Sequence, residues 1–173
     1  PAFVGIAILE QAGQAVVPLT LQFRIDKASM GLDRLLAEMG ERGMKAVLYL
    51  NNSWGWSGGY GRYLQWANEG DEAAPAEGRR RQRPGDFLLN ERAKELFADH
   101  VRHVVSRTNP VTGKPYSEDP AIFSWQIGNE PRCFSSDPAN QQAFVDWIWS
   151  TASLIKSIDP NHMVSTGSEG QMG

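Results

Sequence analysis

The chain has 173 residues, 41% of them hydrophobic, and a formal net charge of −3 from 17 Lys+Arg against 20 Asp+Glu. That content suits a globular domain with one sizeable core and excludes a disordered segment, and the lack of a basic excess gives no footprint for nucleic acid. No apolar run approaches the ~20 residues that span a bilayer, and a single cysteine, Cys133, excludes an internal disulfide.

In chain order, Phe3 to Leu9 is an apolar run rich in β-formers and predicts a first strand. The surrounding PAFVGIAILEQ lacks the basic region and small-residue cleavage site of a signal peptide. Leu32, Leu35, Leu36 and Met39 follow the spacing of a one-faced helix, and Ala46 to Leu50 predicts the next strand. The stretch from Asn51 to Leu89 reads as one long loop, and loops beyond ~12–15 residues are usually functional or disordered. Its first half, NNSWGWSGGYGRYLQW, carries three tryptophans and is expected to be ordered. Its second half, NEGDEAAPAEGRRRQRPGD, has the composition of a flexible excursion, in which Arg79, Arg80, Arg81 and Arg83 read as solvated charge. Phe97, Val101, Val104 and Val105 mark a second helix, and Ile122 to Ile127 a third strand. Asp137-Pro138 look like a cap and first-turn proline for a third helix bearing Phe144, Trp147, Ile148, Thr151 and Ile155. Asp159-Pro160-Asn161 then turns the chain into a fourth strand, Met163 to Thr166. Alternating strands and helices imply βαβ crossovers and a parallel sheet, so the class is α/β, in a single domain over residues 1–173. His100, His103 and His162 show no metal-ligand clustering, and neither a metal nor a cofactor is expected.

Within WQIGNEP, residues 125–131, the alternation of a strand sends Phe123, Trp125 and Ile127 to an apolar face and Ser124, Gln126 and Gly128 to a small, polar one. Glu130 belongs to the polar face. The fourth strand repeats the pattern, with Val164 and Thr166 on one side and Ser165, Gly167 and Glu169 on the other. Two strands thus end in a glutamate on a shared face, at the end where open parallel sheets and (β/α)₈ barrels bind ligands. Trp125 could serve as an aromatic platform for a ligand, but parity assigns it to the core. Trp147 and Trp149, on a helix, read as structural or surface. Asn51 and Asn52 are expected to brace the loop.

The segments GLDRLLAEMGERGMKAVLYLNNSW, SGGY, DPAIFSWQIGNEPRC and DPNHMVSTGSEG resemble glycoside hydrolase family 5, specifically its endo-β-1,4-mannanases. The resemblance covers about residues 31–173; the first thirty residues fit less well. It implies a partial TIM (β/α)₈ barrel, strands two to five of eight, in a chain shorter than the ~250 residues a barrel takes. It also implies a retaining mechanism in which Glu130 is the acid/base, protonating the glycosidic oxygen and then deprotonating water. A raised Glu130 pKa would follow from partial burial and a second carboxylate nearby. By the same resemblance Asn129 bonds the sugar 2-hydroxyl, Arg132 and Glu169 meet sugars on the leaving-group side, and Trp54 lines the cleft. Trp56 is a weaker cleft candidate. The family pattern puts the nucleophile beyond residue 173, although strands ~4.8 Å apart would also permit Glu169, since a retaining pair needs carboxyls about 5–5.5 Å apart. The implied partner is β-mannan or a related plant polysaccharide, met by an exported enzyme. Two alternatives stay open: a cellulase of the same family, and an inactive barrel fragment or weak glycan binder. Open strand edges in such a fragment would favour self-association.

Overall fold

The computed structural model describes residues 5–9, 17–19, 25–68 and 84–170, with side chains from Ser29 onward except that of Trp56. Phe3, Val4 and the arginine run at 79–83 lie outside these residues. Five strands form one sheet, β1 (Gly5–Leu9), β2 (Val17–Leu19), β3 (Lys45–Tyr49), β4 (Ile122–Gln126) and β5 (Met163–Ser165), in the order β2-β1-β3-β4-β5. β3, β4 and β5 run parallel, as the alternation of elements predicts. The first strand does not follow that rule: β1 is antiparallel to both β2 and β3. Residues 10–16 alone join β1 to β2, and a parallel pairing needs a crossover of a dozen residues or more. The crossover is instead made from β2 through helix α1 (Ile25–Glu41) to β3, with β1 lying between the two strands.

Three further helices follow: α2 (Gly59–Asn68), α3 (Glu91–Val105) and α4 (Pro138–Ile158). α2 corrects the expectation of one long loop from Asn51 to Leu89. Tyr60, Tyr63 and Leu64 recur at helical spacing and are all buried, so the aromatic residues of that stretch pack inward as a helix. The Asn90 side chain caps α3, accepting from Ala93 N at 2.8 Å. Asp137 caps α4 as predicted, accepting from Ala139 N at 2.8 Å with Pro138 in the first turn. Each cap satisfies a helix N–H that has no partner within the helix.

Helix and sheet meet in one buried cluster in which Ala46, Leu48 and Leu50 of the β3 segment and Trp125 and Ile127 of the β4 segment join Leu36, Phe97, Val101 and Ile155 from the helices. The parity of 122–127 therefore holds at Trp125 and Ile127, both fully buried, while Phe123 at the strand's start stays 43% exposed. Tyr60 stacks on Phe87 with centroids 4.7 Å apart, and Trp147 sets its ring perpendicular to both at 5.7 and 5.5 Å. This aromatic knot ties α2 and residues 84–89 to α4. Trp149 on the same helix is 70% exposed.

Two buried carboxylates fasten the layers. Asp33 of α1, fully buried, accepts from Arg107 Nε at 2.9 Å, Arg107 Nη2 at 2.5 Å and Tyr116 Oη at 2.7 Å. Asp159, after α4, accepts from Trp125 Nε1 at 2.7 Å and contacts His162 Nδ1 at 2.7 Å. Charges so placed persist because each is paired and hydrogen-bonded.

Candidate active site

The strand ladder continues past β4 and carries the NEP stretch with it. Ile127 N donates to Ser165 O at 3.0 Å, Gly128 N to Thr166 O at 3.4 Å and Glu130 N to Gly167 O at 3.1 Å. On the opposite flank Asn129 N donates to Asn51 O at 2.8 Å. Asn129 and Glu130 are thereby gripped by the main chain from both sides, at the C-terminal ends of three parallel strands. Close approach at this point depends on Gly167: a Cβ there would lie 1.9 Å from Gly128 O, and its φ is 81°.

Glu130 is half-buried and has a φ of 50°. Among the described residues, it and Phe134 (φ 55°) are the non-glycine residues with positive φ. Such backbone costs on the order of 1–3 kcal/mol and collects at functional sites. The five residues proposed from sequence come together here. Trp54 Nε1 donates to Glu130 Oε2 at 2.6 Å. Arg132 forms an ion pair with Glu169, reaching both carboxylate oxygens through Nη2, and its guanidinium carbon sits 5.1 Å from the centroid of the Trp54 ring. The hydrogen bond from Arg132, and secondly contact with Glu130, hold the Glu169 carboxyl below its ordinary 4.5. The Asn129 side-chain amide has no protein partner among the described residues.

Asn51 and Asn52 do brace the loop. Asn51 Oδ1 accepts from Asn52 N at 2.8 Å, and Asn52 Oδ1 accepts from Trp54 N at 3.1 Å. The second bond fixes the backbone that aims the indole. The sequence reading missed Ser53, whose Oγ accepts from Arg132 N at 3.2 Å, and Phe134, whose ring edges against Trp54 at 5.8 Å. A lone serine carries no periodic signal, so only the fold reveals it. No group of three or more His, Cys, Asp or Glu side chains converges into a metal-binding set among the described residues.

Residues 22–173 match the family described as GH family 5 beta-mannosidase-like. Mannan endo-1,4-beta-mannosidase 1 of Arabidopsis thaliana is 38% identical over 143 residues, covering 83% of this chain and 31% of that protein. Mannan endo-1,4-beta-mannosidase 4 of Oryza sativa subsp. japonica is 35% identical over 143 residues, again 83% of this chain and 29% of the relative. Among solved structures, the endo-beta-1,4-mannanase from Thermotoga petrophila superposes with a TM-score of 0.70 at 34% identity, covering 82% of this chain and 28% of that one. The glycoside hydrolase family 5 mannosidase from Rhizomucor miehei superposes with a TM-score of 0.65 at 37% identity, covering 83% and 35%. The three parallel strands β3, β4 and β5 with their helices are therefore part of a (β/α)₈ barrel of the glycoside hydrolase kind. The chain belongs to glycoside hydrolase family 5, in its β-mannosidase-like group, and spans about a third of the length of the relatives it matches.

Proposed function

We propose that this chain carries the acid/base side of a retaining endo-β-1,4-mannanase site, with Glu130 as the acid/base. Glu130 gives its proton to the glycosidic oxygen as the bond from that oxygen to the anomeric carbon breaks. A carboxylate nucleophile from outside residues 1–173 bonds to the same carbon. Glu130 then takes a proton from the water that displaces the nucleophile and releases the sugar. The observation that carries the reading is the double main-chain grip on Asn129 and Glu130 at the strand ends, with the Trp54 N–H fixed on Glu130.

The unpartnered amide of Asn129 suits a sugar 2-hydroxyl, a bond that strengthens in the oxocarbenium-like transition state. Arg132 and Glu169, with side chains 45% and 40% exposed, stand where sugars on the leaving-group side can reach them. Glu169 makes a poor nucleophile. Both of its carboxylate oxygens are engaged by Arg132, which ties up the lone pairs that would attack a sugar carbon. A polymer substrate of this kind places the enzyme outside the cell.

The test is hydrolysis of galactomannan by the catalytically complete enzyme and its Glu130→Gln variant. We expect mannan to be cleaved in preference to carboxymethyl cellulose, and the variant to lose about 10²–10⁴-fold, the share of a positioned general acid. An unimpaired variant refutes the role of Glu130, and the reverse polymer preference moves the protein to the cellulases. The 173-residue chain alone should release no sugar. Turnover by it that vanishes in Glu130→Gln would instead assign Glu169 as nucleophile.

A further inference from the structure

Trp54, Glu130, Glu169 and Arg132 close a ring of side-chain contacts. The indole N–H holds one Glu130 oxygen at 2.6 Å, Glu169 lies near enough to Glu130 for the two carboxyls to influence each other, Glu169 is paired to Arg132, and the Arg132 guanidinium returns over the Trp54 ring at 5.1 Å from its centroid. Phe134 meets the same ring edge-on at 5.8 Å. Trp54, expected to line the cleft, thus has a guanidinium over its ring and its indole N–H committed to the carboxylate. A cation over an indole is attracted by the ring's quadrupole, and at an exposed site that attraction is weak enough for a ligand to shift.

We propose that Trp54 is a positioning residue that couples occupancy of the leaving-group side to the placement of the Glu130 carboxyl. The proposal rests on the reading of Glu130 as the acid/base and goes beyond it by naming what aims that group. Arg132 and Glu169 are the exposed members of the ring, and Trp54 and Glu130 are the half-buried ones. A sugar whose hydroxyls engage Arg132 or Glu169 pulls on the exposed half. Glu130 then keeps Trp54 as its remaining side-chain partner, so its orientation is set by a rigid indole whose own backbone is fixed through Asn52. A sugar bound on that side thus raises kcat as well as lowering KM, because part of its binding energy is realised only when the proton is delivered.

Trp54→Phe keeps an aromatic face for Arg132, though a smaller one, and removes the N–H donor. In the complete enzyme, we expect kcat/KM on mannopentaose, which reports the step in which the acid gives its proton, to fall about 10–100-fold, a portion of what a positioned acid supplies. The loss on dinitrophenyl β-mannobioside should be about 10-fold smaller, since that leaving group departs without a proton. Equal losses on both substrates, or none on either, overturn the role of Trp54. Glu130→Gln in the same pair of assays tests the underlying reading separately, because an acid residue must show the same selectivity more strongly; an unselective loss there sinks the acid/base assignment whatever Trp54 does. A measurement independent of turnover is the indole N–H resonance that disappears in Trp54→Phe. It should shift in Glu130→Gln and also in Glu169→Gln, two positions around the ring, and a resonance unmoved by either refutes the coupling.

Discussion

Replacing Gly167 by Ala tests the link between sheet geometry and the candidate acid/base. The added Cβ would fall 1.9 Å from Gly128 O, where real Cβ atoms essentially never come closer than 3.0 Å, so the two segments must part by about 1.1 Å. The left-handed conformation at φ 81° adds roughly 1–2 kcal/mol for a residue with a side chain, and forcing apart a packed contact adds typically 1–3 kcal/mol, for a total of about 2–5 kcal/mol. Gly170 supplies the control, since its φ is 82° but nothing lies within 4 Å of its would-be Cβ. Gly170→Ala should cost only the conformational part, about 1–2 kcal/mol. Urea unfolding of both variants, compared at constant m-value, separates the two contributions. Gly167 O also accepts the Glu130 N–H at 3.1 Å, and a displacement of about an ångström in a catalytic group can cost ~10²-fold in rate. Equal destabilisation by the two variants, or full activity in Gly167→Ala, would refute the argument that close approach at this glycine sets the position of Glu130.

Other outcomes follow from the buried carboxylates. Asp33→Ala leaves the Arg107 guanidinium and the Tyr116 hydroxyl without their partner, and breaking a buried pair costs about 3–5 kcal/mol. The Arg107 side chain is 22% exposed and recovers some hydration, so urea unfolding should show a loss near 3 kcal/mol, at the lower end of that range; a loss below about 1 kcal/mol would be the value of an exposed pair and would contradict the burial of Asp33. At Asp159, burial by itself would raise the carboxyl, but hydrogen bonds from Trp125, His162 and Asn161 outweigh it and hold the group below its ordinary 3.8. A depressed carboxyl stabilises the fold above its unfolded value, and that contribution disappears as the pH falls through the folded value. Stability should therefore drop less steeply below about pH 4 in Asp159→Asn than in the wild type, and matching acid limbs would show that Asp159 does not gain these bonds on folding.

Much of this was legible where the signal was local. The alternation in WQIGNEP gave the burial of Trp125 and Ile127 and the strand-end position of Glu130, and Asp137-Pro138 announced the start of α4. Direction was not legible in β1, because an apolar run of seven residues, Phe3 to Leu9, reads the same whether its neighbour runs with it or against it. α2 was hidden for a different reason: the glycines of WGWSGGYG suggest a loop and mask Tyr60, Tyr63 and Leu64, which keep helical spacing through them. Asp33 lies among the apolar positions of its helix with no local sign of a partner. Its partners Arg107 and Tyr116 lie 74 and 83 residues away, beyond the reach of any local pattern. The meeting of Trp54 with Glu130, 76 residues apart, was anticipated only in that both were assigned to one cleft; which edge of the indole would be used was not.

The left-handed backbone at Glu130, with a second such residue at Phe134 four positions on, has a consequence for how this protein drifts. Glutamate is a poor occupant of that conformation, while glycine or asparagine would sit there more comfortably. Exchange to glycine at position 130 should therefore harden the fold even as it abolishes the reaction. On the acid/base role proposed for Glu130, the chemistry of the carboxylate, and not the comfort of the backbone, accounts for the residue in this seat. A variant released from that proposed role would regain thermal robustness first at residue 130.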